Sequence, residues 1–435
     1  MREFHSYLDR LDSLVSQVGR GLDYSNYAEI IDDVLDGQPA RELRRVVPLE
    51  DLKASGAFFS GSELSQAALN YSVRTLGNHS VVLDPACGTG DLLIACAPWL
   101  PRGDDLASTL QIWGTQIAGC DVYPEFIHAT KARLVLAAMR EGVPLGNNQL
   151  PETDDLFPRI VRRSALTETG VYKIATHIVL NPPYILTVAP EDCTWASGKV
   201  NAAALFIEAC VKHAHNGARV IAILPDVLRG GSRYQRWREF VESRSRELRV
   251  ELRGQFSQWA DVDVFILELE VQSESNGDRK IRWKQPANPA KGCIGDRFDV
   301  HIGPVVDFRD PKCGPWHPFI MSRGIPPWNT VDTVSRRRRF KGKVFSSPFV
   351  VVRRTSRQDD KQRAIGTIIN CARPVAVENH LIVLVPRDGT IESCRELLDV
   401  LKEPKTTQWL NQRIRCRHLT VSSLREAPWR VDKYE

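Results

Sequence analysis

Residues 81–97 restrict the fold of this chain more than any other stretch. A short apolar run, Val81-Val82-Leu83, leads through Asp84-Pro85-Ala86-Cys87-Gly88-Thr89-Gly90-Asp91 into Leu92-Leu93-Ile94-Ala95-Cys96-Ala97, which reads as a helix. Strand, glycine-containing loop and helix in that order form the nucleotide-binding unit of an open α/β sheet. Gly88 and Gly90 permit a sharp turn and a close approach of ligand to backbone. Asp91 is placed to cap the helix. The loop is neither Gly-x-Gly-x-x-Gly nor a Walker loop, because no Lys-Ser/Thr follows. A carboxylate ahead of the glycines suits a ligand bearing positive charge rather than a pyrophosphate. A second apolar run, Ile117-Ala118-Gly119-Cys120, ends at Asp121. An acid closing the second strand of such a sheet accepts hydrogen bonds from a ribose diol. The other reading of Asp121 is a helix N-cap ahead of Pro124-Glu125-Phe126, and the two roles are compatible.

A third run, Ile178-Val179-Leu180, reads as a buried strand and is followed by Asn181-Pro182-Pro183-Tyr184. Two prolines end the strand in a stiff, extended turn. An amide and an aromatic ring are held on either side of that turn. Asn181 Oδ1 and the Pro182 carbonyl are placed to accept both hydrogens of an exocyclic amino group, with Tyr184 stacked on the ring face. A nucleobase that has left the duplex stack meets that description. The bland alternative is a rigid surface turn with Tyr184 half-buried.

In these segments the chain resembles the N6-adenine DNA methyltransferases of the γ arrangement, in which cofactor motifs precede the catalytic motif and a target-recognition domain comes last. Asp84-Pro85-Ala86-Cys87-Gly88-Thr89-Gly90 is similar to their cofactor loop, Asp121 to their ribose-binding acid, and Asn181-Pro182-Pro183-Tyr184 to their catalytic motif. Gly56-Ala57-Phe58-Phe59-Ser60-Gly61 is similar to the segment covering the methionine end of the cofactor, although the family usually has Thr-Pro at Ser60-Gly61. The resemblance implies S-adenosylmethionine as cofactor, whose ammonium and sulfonium suit Asp84. Its implied contacts are Phe59, Ser60, Asp84, Ala86, Gly88, Gly90, Asp121, Val122, Ser164 and Asn181. The implied catalytic set is Asn181, Pro182 and Tyr184, with Pro183, Tyr184 and Phe256 against the target base. For Phe256 a core position is an equal alternative. One departure is Ser164 in Ile160-Val161-Arg162-Arg163-Ser164, where the family commonly has an acid. Ser164 is a weaker partner than a carboxylate, and Asp154 or Asp155 is the alternative for that role.

The length of 435 residues suits two or three domains, and the net charge of +5 is too mild to argue for a polyanionic partner. Its distribution says more. Arg336, Arg337, Arg338 and Arg339 precede Lys341 and Lys343, and Arg353 and Arg354 follow, with Phe340, Phe345 and Phe349 interleaved. A solvated charged loop is the ordinary reading of such a run; beside the motifs above, DNA phosphate contact is the better one. The ten cysteines show no Cys-x-x-Cys pair, and Cys293, His301, Cys313 and His317 match no standard zinc spacing, so no metal is expected. The start of the chain has no signal-peptide pattern and no apolar stretch spans a bilayer, which leads to the expectation of a reducing cytoplasm, in association with the nucleoid.

The expected organisation is an N-terminal helical segment over 1–52, with Tyr7, Leu8, Leu11, Leu14 and Val15 at helical spacing. A Rossmann-like S-adenosylmethionine-dependent methyltransferase sheet follows over 53–275, largely parallel and covered on both faces. An α+β target-recognition domain occupies 276–435 beyond the polar linker at 273–278. The expected activity is methyl transfer to N6 of a flipped-out adenine in double-stranded DNA, in a restriction–modification or phage-defence setting with a separate endonuclease or defence subunit as partner. The alternatives are transfer to RNA, to cytosine N4 or to a protein glutamine, and a non-catalytic DNA-binding subunit that kept the fold. The basic C-terminal third favours DNA, and the intact Asp84, Asp121 and Asn181 favour an enzyme.

Overall fold

A computed structural model describes residues 4–19, 26–56, 60–69, 76–146, 150–151, 153–256, 262–273, 283, 292–357, 359–415 and 417–429. The chain divides into two compact units, Met1–Leu228 with Gln235–Ile281, and Arg229–Tyr234 with Arg282–Glu435. Most of the polar linker at 273–278 lies outside the described residues.

The apolar runs of the first unit become β1 (Val82–Asp84), β2 (Ile117–Asp121), β3 (Ile160–Arg162) and β4 (His177–Leu180). A two-stranded ribbon, β5 (Leu186–Val188) with β6 (Lys199–Asn201), follows; β7 (Arg219–Pro225), β8 (Ser245–Gln255) and β9 (Asp263–Val271) complete the sheet. Its seven strands run in the order β3-β2-β1-β4-β7-β9-β8. The first five are parallel, while β9 lies antiparallel between β7 and β8. This is the expected Rossmann-like α/β sheet. Every residue of β4 is buried, so the sheet is covered on both faces there. Strand order turns back between β1 and β4, and the carboxyl ends flanking such a switch point are where ligands bind in sheets of this kind.

Ahead of the sheet come α1 (His5–Gly19), α2 (Ala28–Leu35), α3 (Gln38–Val46), α4 (Leu49–Ser55) and α5 (Gly61–Leu69). Along the sheet run α6 (Asp91–Cys96), α7 (Leu106–Gln116), α8 (Pro124–Arg140), α9 (Thr153–Leu156), α10 (Ala202–His213), α11 (Asp226–Gly230) and α12 (Gln235–Ser243). The N-terminal stripe is core: Phe4, Tyr7, Leu11 and Leu14 are buried in one cluster with Phe126, Leu134 and Val179. Phe4 meets Phe126 edge to face at 5.9 Å. Arg133 of α8 is fully buried and donates to the carbonyls of Val34 (3.0 Å) and Leu35 (3.2 Å), satisfying the C-terminal end of α2.

The second unit holds β10 (Phe298–Ile302), β11 (Trp316–Ile320), β12 (Thr330–Val331), β13 (Arg337–Arg339), β14 (Phe349–Arg353), β15 (Gly366–Ile369), β16 (Ala376–Val377) and β17 (Leu381–Pro386). With them go α13 (Ile294–Arg297), α14 (Ile391–Lys402), α15 (Pro404–Arg413) and α16 (Val421–Arg425). A five-stranded sheet, β10-β17-β14-β15-β12, sends Val350, Val352, Ile382 and Leu384 against Leu397 and Leu401 of α14. Its other face buries Val351, Ile369 and Val383. A second sheet has the order β13-β11-β16.

The basic run does not act as a block. It forms β13, and strand periodicity divides it: Arg337 and Arg339 are exposed, whereas Arg338 is 3% exposed. Arg338 forms an ion pair with Asp307 and donates to the Asp310 carbonyl at 2.7 Å. Arg338 therefore leaves the expected phosphate-contacting set, because its guanidinium is committed inside the unit. Arg336, Lys341 and Lys343 are exposed; Arg353 and Arg354 are half-buried, and Arg353 donates to the Ile325 carbonyl at 2.8 Å. Among the described residues no group of three or more His, Cys, Asp or Glu side chains is arranged to hold a metal ion. No helix of the described residues is long and apolar enough to cross a membrane.

Candidate active site

The loop after β1 is held by its neighbours. Asp84 Oδ1 accepts from the Ala86 amide at 3.0 Å. Across the loop, Asp121 Oδ2 accepts from the Gly88 amide and Oδ1 from the Tyr123 amide, each at 3.0 Å. Asp121 is thus no helix cap: Tyr123 occupies that position for α8. Gly90 has φ +88°, and a Cβ there would lie 2.8 Å from Thr130 Cγ2. Thr130 Oγ1 in turn donates to the Gly88 carbonyl at 2.8 Å. Gly90, not Asp91, is the N-cap of α6. The Asp91 carboxylate serves elsewhere, accepting from Arg133 Nη1 at 2.8 Å and from the Gly61 amide at 3.0 Å.

At the carboxyl ends of β1, β2 and β4 lies a cleft with about 620 Å³ of open space, part of it continuous with solvent. Seven residues expected from the sequence line it together: Ala86, Gly88, Asp121, Val122, Ser164, Asn181 and Pro183. Those expectations come from segments spread over a hundred residues, and the sheet topology brings them to one place. Tyr123, Phe126 and Phe206 supply an aromatic wall, and Gly56, Pro85, Arg163 and Ala165 complete the lining among the described residues. The wall was missed from sequence, although Phe126 lies early in the helix after Asp121 and Phe206 early in the helix after the Asn-Pro-Pro-Tyr motif. Ser60, Asp84, Gly90, Pro182, Tyr184 and Phe256 are not among the lining residues, and Phe59 lies outside the described residues.

Asn181 is held from two sides. Its Nδ2 donates to Ser60 Oγ at 2.9 Å, and its Oδ1 accepts from the Tyr184 hydroxyl at 2.7 Å. The Tyr184 hydroxyl also lies 3.1 Å from the Ile223 carbonyl of β7. Its ring meets Phe256 edge to face, centroids 6.0 Å apart, and both pack against the main core. Besides this ring contact, the Tyr184 hydroxyl serves Asn181, a role the sequence did not suggest. Gly56, at φ +70°, sits so close to the motif that a Cβ would fall 2.6 Å from Pro183 Cβ. Behind the motif, Asn201 Nδ2 donates to the Tyr184 carbonyl at 3.4 Å, while its Oδ1 caps α10 through the Ala203 amide at 3.0 Å.

Burial dominates the electrostatics. Asp84 is 2% exposed, and desolvation pushes its carboxyl well above the usual range, with the nearby Asp121 and Asp91 adding to the rise. Desolvation also raises Asp121, opposed by the backbone N–H groups of Tyr123, Gly88 and Val122. The Cys87 thiol in the loop is buried, and that burial pushes its pKa up. Neither Asp154 nor Asp155 replaces the acid missing at Ser164: Asp154 is exposed and paired with Lys131 at 2.7 Å, and Asp155 lines a different depression with Asp104 and Asp105. Arg163 beside Ser164 reaches Glu168 at 3.4 Å. A carboxylate with unused lone pairs, a glycine-lined loop and an aromatic wall fit a nucleoside such as that of S-adenosylmethionine.

No family model matches the sequence, and no curated protein matches it. Among solved structures, the chain is similar to the type IIG restriction endonuclease BpuSI, with 13% identity over 90% of this chain and 61% of that one and a TM-score of 0.45. It is similar to the type IIL restriction-modification enzyme MmeI in complex with DNA, with 12% identity over 86% and 64% and a TM-score of 0.49. It is also similar to the M protein of the type I restriction enzyme EcoKI, with 15% identity over 50% and 44% and a TM-score of 0.37. The chain thus spans less than two thirds of the length of each of these proteins.

Proposed function

We propose that this chain is an S-adenosylmethionine-dependent DNA methyltransferase that modifies N6 of an adenine turned out of the duplex, in a restriction–modification setting. The observation that carries the reading is the shared cleft: Asn181 and Pro183 of the catalytic motif line the same cavity as Gly88 and Asp121 of the cofactor loops.

S-adenosylmethionine, when bound, supplies an electrophilic methyl group. The protein's own part is binding and polarisation. Asp121 has lone pairs beyond the two it gives to Gly88 and Tyr123, enough to accept from a ribose diol. Phe126 and Phe206 offer apolar surface to a base. Asn181 Oδ1, which accepts from the Tyr184 hydroxyl, also accepts one hydrogen of the target amino group in this reading; the Pro182 carbonyl accepts the other. Both bonds favour a pyramidal nitrogen with a localised lone pair, so they strengthen as the transition state forms.

Labelled S-adenosylmethionine offered to duplex DNA, RNA and protein tests the reading, followed by modification-sensitive sequencing of the labelled DNA. The expected product is N6-methyladenine in DNA. Asn181→Ala lowers turnover by roughly 100- to 1,000-fold, with calorimetric S-adenosylmethionine affinity retained. Label found only in RNA or protein, or an Ala variant at the parental rate, ends the proposal.

A further inference from the structure

The half of β11 that pairs with β13 carries a surface that the cleft does not use. Register sets Trp316 opposite Arg339, His317 opposite Arg338, and Pro318 opposite Arg337. The middle pair turns inward, with Arg338 buried on Asp307 and Asp310. The outer pairs turn to solvent, so Trp316 is 59% exposed beside the exposed Arg337 and Arg339. Strand β16 is in register only with Phe319 and Ile320, so this end is a two-stranded ribbon among the described residues. Arg339 is further oriented by a 2.9 Å bond from Nε to the Gly314 carbonyl. The loop pinned by Arg338 bears Phe308, 90% exposed. From residue 311 to 343 the only acid is Asp332, against Lys312, Arg323, Lys341, Lys343 and the four arginines.

We infer that the outward face of this ribbon is a contact surface for duplex DNA, with Arg337 and Arg339 on phosphates and the Trp316 ring against the sugar or base edge between them. The inference rests on the DNA reading above and adds the surface and its division of labour. Two physical arguments favour this partner. A ribbon two strands wide fits a major groove of about 12 Å. An exposed indole set beside two exposed arginines suits a contact with apolar sugar and base edges, the cations neutralising the backbone. Arg338 serves as the internal anchor that keeps the ribbon and the Phe308 loop in register.

The test is fluorescence anisotropy of the full chain with a short fluorescein-labelled duplex, titrated at salt between about 50 and 200 mM. Trp316→Ala weakens binding about tenfold with an unchanged salt slope, whereas Trp316→Phe stays within about twofold. The double variant Arg337→Ala, Arg339→Ala lowers the slope of log affinity against log salt by about 2. Melting curves matching the parent show that the variants are folded. Trp316→Ala binding like the parent, or an unchanged slope in the arginine pair, overturns the ribbon assignment. A parent chain that binds no duplex while methylating RNA or protein instead overturns the DNA reading beneath it.

Discussion

Asn181 donates its side-chain amide hydrogen to Ser60 Oγ at 2.9 Å, across 121 residues of chain. The Ser60 and Tyr184 hydroxyls grip the Asn181 amide from its two ends and fix the position of its plane. Ser60→Ala therefore lowers kcat roughly tenfold, because small misplacements at a reacting centre are costly. The KM for S-adenosylmethionine changes far less, and Ser60→Thr restores the rate. Steady-state kinetics on the three proteins checks this; an Ala variant with parental kcat shows that the hydroxyl orients nothing.

From sequence alone, Tyr184→Phe reads as a mild change, since a phenyl ring stacks as well as a phenol. Its one hydroxyl proton, set between Asn181 Oδ1 and the Ile223 carbonyl, alters that expectation. Losing that donor costs about 1–2 kcal/mol of stability and lowers kcat several-fold. Chemical denaturation and kinetics measured together decide the matter. A Phe variant unchanged in both returns the residue to a purely apolar role.

His177 opens β4 directly opposite Arg219 of β7. Burial, helped by the arginine, lowers its pKa to about 4. The sign follows: the imidazole is neutral in the fold, and the unfolded chain takes up its proton near pH 6.5. Its contribution to stability is complete above pH 6.5 and is lost as the pH falls through 4. The melting temperature should drop between pH 7 and pH 4, and His177→Asn should drop less over that interval. Parallel curves for the two proteins would remove His177 from the acid response.

Arg133 is fully buried and links Asp91 (2.8 Å) and the Thr89 carbonyl of the cofactor loop to the Val34 and Leu35 carbonyls of α2. Replacing it with Met removes one of the two partners of the Asp91 carboxylate, leaving the Gly61 amide, and takes this donor from three carbonyls. A loss of about 3–5 kcal/mol is expected, with weaker S-adenosylmethionine binding. Urea unfolding and calorimetry give both values, and a loss under about 1 kcal/mol would show that the helices hold to the loop by apolar contact alone.

The sheet was legible because β1, β2 and β4 are apolar runs that end at Asp84, Asp121 and Asn181, and strand-end chemistry is local. Convergence of Gly88, Asp121, Ser164 and Asn181 followed from the order of such units. Side-chain direction was not legible. That the Tyr184 hydroxyl meets the Ile223 carbonyl depends on β7, which lies about forty residues further along the chain. Arg338 looked equivalent to its neighbours because a run of four arginines hides the two-residue period that a strand imposes. The cap of α6 was misplaced by one residue, since Asp91 is spent on Arg133, a partner forty-two positions away.

The near-contact of Gly56 with Pro183 leaves no slack between the segment that leads towards Ser60 and the turn that bears Asn181. The steric consequence is that only a residue without a side chain fits at position 56 while the di-proline turn stays where it is.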